Sequence, residues 1–307
     1  MEVTIILQEK EGVPVDMPEE WAGIIPLKVF IDEATKMVSQ AEEFGVQFRL
    51  VGGLAIRLHC QQHNLEDLYM RMKRLGENVS EITDIDGAIA MKHRGKMDKF
   101  MEKFGYFKRA TTLSTAASQR KIYIHPKNWW FVDCFYGAMK FNHDIELDLN
   151  RLKLDSPTLP LAELFLGKTQ IVYMNYKDVA DTIMLLLGHE IGYDDSPETI
   201  NIKHIAEKYF RKGGYAWGFY HTVNTNLTNI RNVLPEFKEL SEEQQNTIRT
   251  KIDEMVEYFE NVPKNRSWRA RAKIGTSKRW YRPVETTATV GEFGIFSGKH
   301  LLEKPKD

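Results

Sequence analysis

Three aspartates and a pair of glycines are the residues of this chain whose types and spacing could do chemistry together. Asp84 and Asp86 stand two apart in "TDIDGAIA", and Asp133 sits inside the apolar run "WWFVDCFY". Alternation of acidic and apolar residues at period two puts Asp84 and Asp86 on one face of a strand. A neighbouring strand carrying Asp133 would set a third carboxylate beside them. Magnesium takes hard oxygen ligands, so carboxylates on a rigid support are a natural seat for it. Two such ions clamp the attacking and leaving oxygens of phosphoryl or nucleotidyl transfer. Taken alone, the Asp84/Asp86 pair better fits a solvated strand face, where alternating acids are common. Asp133 shifts the balance, because an acid buried among Trp, Phe and Val is unfavourable without a cation or a donor.

Gly52 and Gly53 close "VQFRLVGG" and open a helical pattern. Free N–H groups and the helix dipole favour phosphate at such a start, and glycine lets the backbone approach it without a Cβ. An ordinary strand–helix turn would use the same residues.

The elements that must position these groups are legible from periodicity. Residues 26–44 carry apolar side chains at three-to-four spacing, a helix that Gly45 can end. "VQFRLVGG" is a buried strand meeting a tight turn. "LAIRLHCQQHNLEDLYMRMKRLG" reads as one helix stopped by Gly76, "TDIDGAIAM" as a strand, and "GKMDKFMEKFGYF" as a further helix. "IYIHP" and "WWFVDCFYG" are strands joined by the turn "PKN". The order α, β, α, β, α, β, β implies an α/β (α+β) domain with one small mixed sheet flanked by helices.

After "DSPTLPL" the pattern is helical, with segments near 157–167, 177–188, 198–212, 214–234 and 241–260. Ser156–Pro157 and Ser196–Pro197 have the form of an N-cap followed by proline, and "SEEQ" at 241–244 that of a capping box. This organisation divides the chain into 1–154 (catalytic-type domain), 155–260 (helical domain) and 261–307 (basic, aromatic segment).

The 307 residues suffice for two domains. With 42% hydrophobic and 28% charged residues the chain has an ordinary globular composition. The net charge of −1 offers no overall field for nucleic acid, so any such attraction must be local. Cys60 and Cys134 form no CxxC pair, which argues against a zinc site and against an oxidising compartment. "MEVTIILQEKEG" lacks the apolar stretch of a signal peptide, and "TIMLLLG" is far shorter than the ~20 residues that span a bilayer. A cytoplasmic protein without a membrane partner is expected.

"VGGLAIRLH", "TDIDGAIA" and "FVDCFY" together resemble the nucleotidyltransferase fold of the DNA polymerase β superfamily, nearest to the minimal and AbiEii-like abortive-infection branch. The resemblance implies that Gly52–Gly53 face the NTP phosphates and that Asp84, Asp86 and Asp133 are the catalytic, metal-binding carboxylates. It implies two Mg²⁺ ions, with Mn²⁺ as a substitute, and an NTP such as ATP as co-substrate. "ELFLGKTQ" and "YKDVADTIMLL" are similar to the helical-domain signature of that branch. That similarity assigns Lys168 to the nucleotide phosphates, and Asp178 with Asp181 to a polar cluster beside the cleft. It spans roughly residues 25–190. Two departures stand out. The second small residue is glycine where serine is commoner, leaving Thr83 or a neighbour to supply a hydroxyl. A long helix also separates Gly53 from Asp84.

Other candidates have ordinary readings beside them. His59 and His63 are four apart on a helix, but with no third ligand nearby a surface or packing role is favoured over zinc. Lys168 would also suit an exposed helix end, and Lys177, Asp178 and Asp181 an ordinary first helical turn. "PKNRSWRARAKIGTSKRWYRPV" holds eight Lys/Arg, three aromatics and no acid. Its aromatics could stack on bases or dock the segment on its own helical domain.

The expected function is transfer of an NMP from an NTP to a macromolecular acceptor, an RNA 3′ end or a protein hydroxyl. The resemblance adds a role as the toxin of a toxin–antitoxin pair, with a cognate antitoxin as partner. The rival readings are a non-catalytic nucleic-acid-binding protein of the same fold and a nucleotidyltransferase acting on a small molecule. The basic segment speaks against the latter.

Overall fold

Helix α1 (Leu27–Glu43) buries Phe30, Ala34, Met37, Val38 and Ala41, one stripe at helical spacing. It ends where Gly45 takes φ +75°, and the chain turns into β1 (Phe48–Val51), buried along its whole length. The computed structural model describes residues 16–76, 81–110 and 119–283.

Helix α2 (Gly52–Gln62) follows β1 directly, then α3 (Glu66–Arg71), β2 (Ile85–Ile89), α4 (Arg94–Phe104), β3 (Phe107–Lys108), β4 (Arg120–Ile124) and β5 (Phe131–Tyr136). The five strands form one mixed sheet in the order β1-β2-β5-β4-β3. Only β2 and β5 run parallel; the other pairs are antiparallel. A hairpin of β6 (Ala138–Lys140) and β7 (Asp144–Glu146) leads out of the sheet. Beyond it come α5 (Leu161–Thr169), α6 (Tyr176–Gly188), the parallel pair β8 (Glu190–Gly192) and β9 (Thr199–Asn201), α7 (Gly214–Val233), α8 (Glu242–Asn261) and α9 (Arg266–Ile274). This is the mixed α/β architecture with a small flanked sheet that the periodicity predicts. One buried apolar cluster runs from Ile25 to Phe259, so the sheet and the later helices share a continuous core. Among the described residues no helix is long and apolar enough to cross a membrane.

Four details differ from the sequence reading. The single long helix after the glycine pair is two, broken at His63–Leu65, where Asn64 adopts a left-handed φ of +56°. Ser156–Pro157 caps no helix. Leu50 N donates to Pro157 O and Leu159 N to Leu50 O, so this segment lies extended beside β1, and α5 starts at Leu161. Ser196–Pro197 leads into β9, and Asn201 is the cap of the next helical turn, accepting from His204 N. The expected helix over 198–212 is therefore shorter and ends in a π-helical turn, Ala206–Phe210. The capping box at Ser241 and Gln244 is formed in both directions.

The basic segment is docked up to residue 283; residues 284–307 lie outside the described residues. Trp268 meets Tyr220 edge-on, and Trp280 Nε1 donates to Thr222 Oγ1 at 3.1 Å. Gly218 leaves room for the Trp280 backbone, which a Cβ there would strike. Tyr281 hydroxyl pairs with that of Tyr173 at 3.0 Å, and Arg282 exchanges backbone and side-chain hydrogen bonds with Asn142. The two tryptophans therefore face α7, while Arg266, Arg269, Lys273, Lys278 and Arg279 remain exposed. Trp280→Ala is expected to lower unfolding stability by roughly 1–3 kcal/mol, below the 3–5 of a fully buried tryptophan. Urea denaturation checks this; unchanged stability would mean that the docking contacts contribute nothing.

Candidate functional site

Parallel pairing of β2 with β5 sets Asp86 directly beside Asp133 in register. In a pleated sheet such neighbours project to the same face. Asp84 lies one residue before β2 and is exposed. The reason is geometric: the β1–β2 ladder ends at Val51↔Asp86, where the chain turns into α2. The expected strand over 83–91 is thus trimmed to 85–89, and Asp84 sits on its threshold. Thr83 Oγ1 donates to Asp84 Oδ1 at 3.4 Å.

Asp86 is half-buried and accepts no hydrogen bond among the described residues. Burial, reinforced by the Asp84 carboxylate, pushes its carboxyl up to about 7, against the opposing pull of Lys168, Arg120 and Lys177. Asp133 is buried and held by Arg120, whose Nε donates to Oδ1 at 3.1 Å and whose Nη2 closes a second contact. The donor that a buried acid in "WFVDCF" requires is therefore an arginine of the chain itself. Arg120 opens β4 two residues before Ile122, the direct partner of Asp133, and so shares its face. The three aspartates do not converge on one point. Among the described residues, the one group of three or more potential ligands whose atoms all lie within 4.8 Å of one another is His63, His189 and Glu198.

The glycine pair has local reasons of its own. Gly52 adopts φ +70°, and a Cβ there would strike the Asp86 carboxylate. A Cβ on Gly53 would lie 2.8 Å from Arg74 Nη2. Val51, the N-cap of α2, gives its first turn no side-chain cap, and the turn packs against Asp86. Gly52→Ala is expected to destabilise the fold by about 1–2 kcal/mol from left-handed backbone alone, and to displace Asp86. Chemical denaturation checks the first effect; an unperturbed stability would show that the turn relaxes freely.

Beneath this turn lies a buried ionic cluster. Asp181, fully buried, accepts from Tyr69 Oη at 2.7 Å and from Arg74 Nε and Nη2 at 2.9 Å each. Lys168 Nζ stands 2.7 Å from Asp181 Oδ2 and 3.4 Å from Asp178 Oδ1. Burial alone would raise the Asp181 carboxyl, but Arg74 and Lys168 outweigh it and hold it well below the usual carboxylate range. Lys168 is thus no exposed helix-end lysine; two carboxylates engage it, and its charge still reaches Asp86. Asp178, in the first turn of α6, has its backbone N–H capped by Asn175. Arg74 Nη1 also donates to Glu81 O at 3.0 Å, fixing the chain just ahead of Asp84. Arg74, Tyr69 and Arg120 carry no motif in the sequence. Only Arg120, at the head of the strand preceding "WWFVDCFY", offered a signal, as a cation placed to meet the buried acid.

His59 and His63 do have further ligands nearby, from distant sequence. His189, the C-cap of α6, packs edge-on against both rings, and Glu198 reaches His63 and His189. Burial, with the neighbouring imidazoles and, for His189, Lys251, pushes His59 and His189 down to about 3, so both rings are neutral at pH 7. Cys60 and Cys134 are buried free thiols. Compared with known proteins, the chain matches no family model and no curated protein.

Proposed function

We propose that the chain is a metal-dependent nucleotidyltransferase that moves an NMP from an NTP to a hydroxyl of a macromolecule. The observation that carries this reading is the in-register pair Asp86–Asp133 on parallel strands, with the uncapped start of α2 packed against Asp86. The donor set suits Mg²⁺: hard carboxylate oxygens, one of them exposed and one half-buried that accepts no hydrogen bond among the described residues. Asp84 and Asp86 would hold the ion, and Asp133 would join them where Arg120 yields its carboxylate. When bound, the metal supplies charge stabilisation at the transferring phosphoryl group.

The chain's own groups divide the remaining work. The first N–H groups of α2 receive the phosphates, a role open to them because Gly52 and Gly53 carry no side chains. Lys168 adds positive charge, and the Arg74–Asp181 pair keeps both the glycine turn and the approach to Asp84 in place. The acceptor hydroxyl attacks the α-phosphate and pyrophosphate leaves. The exposed cations of α9 support an anionic macromolecular acceptor, RNA before protein. The toxin role, with its antitoxin partner, rests on the sequence resemblance.

A second reading, nucleic-acid binding without catalysis, is favoured by one observation: Arg120 already neutralises Asp133. Incubating the full-length protein with each α-labelled NTP, Mg²⁺ and either total RNA or cell protein separates the two. The enzyme reading expects label in one acceptor pool, lost on chelation. Absence of label in both pools, with RNA still bound, favours the second reading.

A further inference from the structure

At the opposite end of α2 from the glycine pair, a group of ligating side chains gathers well apart from the aspartates. His59 lies in the last turn of α2 and His63 is its C-cap, His189 caps the end of α6, and Glu198 lies just ahead of β9. His63 Nε2 is 2.8 Å and His189 Nδ1 3.1 Å from the same oxygen, Glu198 Oε2. The His63 and His189 rings meet edge-to-face with centroids 4.5 Å apart.

Three further observations mark this as a built arrangement. Among the described residues His63 Nε2, the atom that faces Glu198, is buried without an aligned hydrogen bond despite the nearby carboxylate. Such an orphaned polar atom needs explanation in a native interior, and a bound cation at this nitrogen would supply one. Gly188 leaves space for His63, whose ring a Cβ there would approach to 3.3 Å. Lys251 Nζ donates to the carbonyls of Leu186 and His189 at 3.1 and 2.7 Å, fixing the backbone that carries the ligand.

We infer that His63, His189 and Glu198 form a site for a divalent transition metal of the zinc class. Two imidazoles and one carboxylate are a donor set that zinc accepts, with a fourth position left for water. Tetrahedral bonds of about 2.0–2.1 Å set ligand atoms roughly 3.3 Å apart, so the two contacts to Glu198 need open only by a few tenths of an ångström. The Glu198 side chain is 59% exposed, so it can shift and leaves the open position facing solvent. His59 stands behind His189, its Nε2 2.9 Å from Thr158 Oγ1, and fixes the ring edge-on. The metal ties the end of α2 to the end of α6 and the adjoining β8–β9 pair, which lie far from α2 in sequence.

The test is titration of chelator-stripped full-length protein with Zn²⁺ by calorimetry, and with Co²⁺ by visible spectroscopy. One ion per chain is expected, with tetrahedral cobalt bands and a higher melting temperature in zinc. Glu198→Gln alters an exposed side chain and leaves the fold intact. It and His63→Ala should each weaken zinc binding by more than the 10–100-fold that outer-shell changes produce. The Asp84→Asn/Asp86→Asn variant should bind zinc like the parent. Absence of stoichiometric zinc binding overturns the assignment, as does zinc affinity that both Glu198→Gln and His63→Ala leave unchanged.

Discussion

Asp86→Asn, alone or with Asp84→Asn, is expected to cut NMP transfer by about a thousandfold or more, the several kcal/mol that a metal clamp supplies. The same change should stabilise the metal-free protein at pH 8. In the folded chain the Asp86 carboxyl rises from 3.8 to about 7, chiefly through burial and then through Asp84. Its protonated form is favoured by folding, so its contribution to stability is full below the ordinary carboxylate value. That contribution is lost as pH climbs through about 7, where the folded state must ionise a desolvated acid. Asparagine never ionises and escapes the loss. Melting curves of parent and variant from pH 5 to pH 8, with chelator present, should therefore diverge as pH rises. Parallel curves would show that Asp86 is an ordinary surface acid. Greater stability coupled to lost activity is a common mark of a functional residue.

Asp181→Ala should have the largest effect on folding. It removes the acceptor of Tyr69 and the counter-charge of Arg74 and Lys168, all held in the interior. Breaking a buried ion pair by deleting one partner destabilises by about 3–5 kcal/mol, because the stranded charge stays desolvated. Here one change strands Arg74 and leaves Lys168 only its longer contact to Asp178. Urea unfolding at pH 7 checks the loss, and a change under about 1 kcal/mol would contradict the buried-network account. For the parent, the depressed Asp181 carboxyl gives stability that is present above the ordinary carboxylate value. It fades only as pH falls far into the acid range.

The sheet and the aspartates were legible because each carried a local signal. The D-x-D alternation marked β2, the acid within "WFVDCF" marked β5, and their order implied neighbouring strands. Period-two alternation continues through Asp84, so sequence does not mark where the strand begins; the turn of β1 into α2 shows where the ladder stops. The two serine–proline steps misled for a similar reason. Proline at a helix start and proline in an extended connection look alike in sequence, and Pro157 is decided by its bond to Leu50. The ionic cluster was only half visible. Lys168 and Asp181 fell within a recognisable pattern, but Arg74 lies in an unremarkable amphipathic run and meets Asp181 across more than a hundred residues. His189 and Glu198 were hidden likewise, since their relation to His63 exists only once α2 and α6 are packed. The docking of Trp268 and Trp280 on α7 was one of two readings that composition left open, and contacts to Tyr220 and Thr222 decide it.

The most direct test of the central claim is calorimetric titration of the full-length protein with each NTP, with and without Mg²⁺, at pH 6 and pH 8. At least one NTP should bind only with Mg²⁺, and more tightly at pH 8, because Asp86 gives up its proton near 7. The Asp86→Asn variant should lose both the binding and its pH dependence. A parent protein that binds no NTP in the presence of Mg²⁺ at either pH would contradict the nucleotidyltransferase reading.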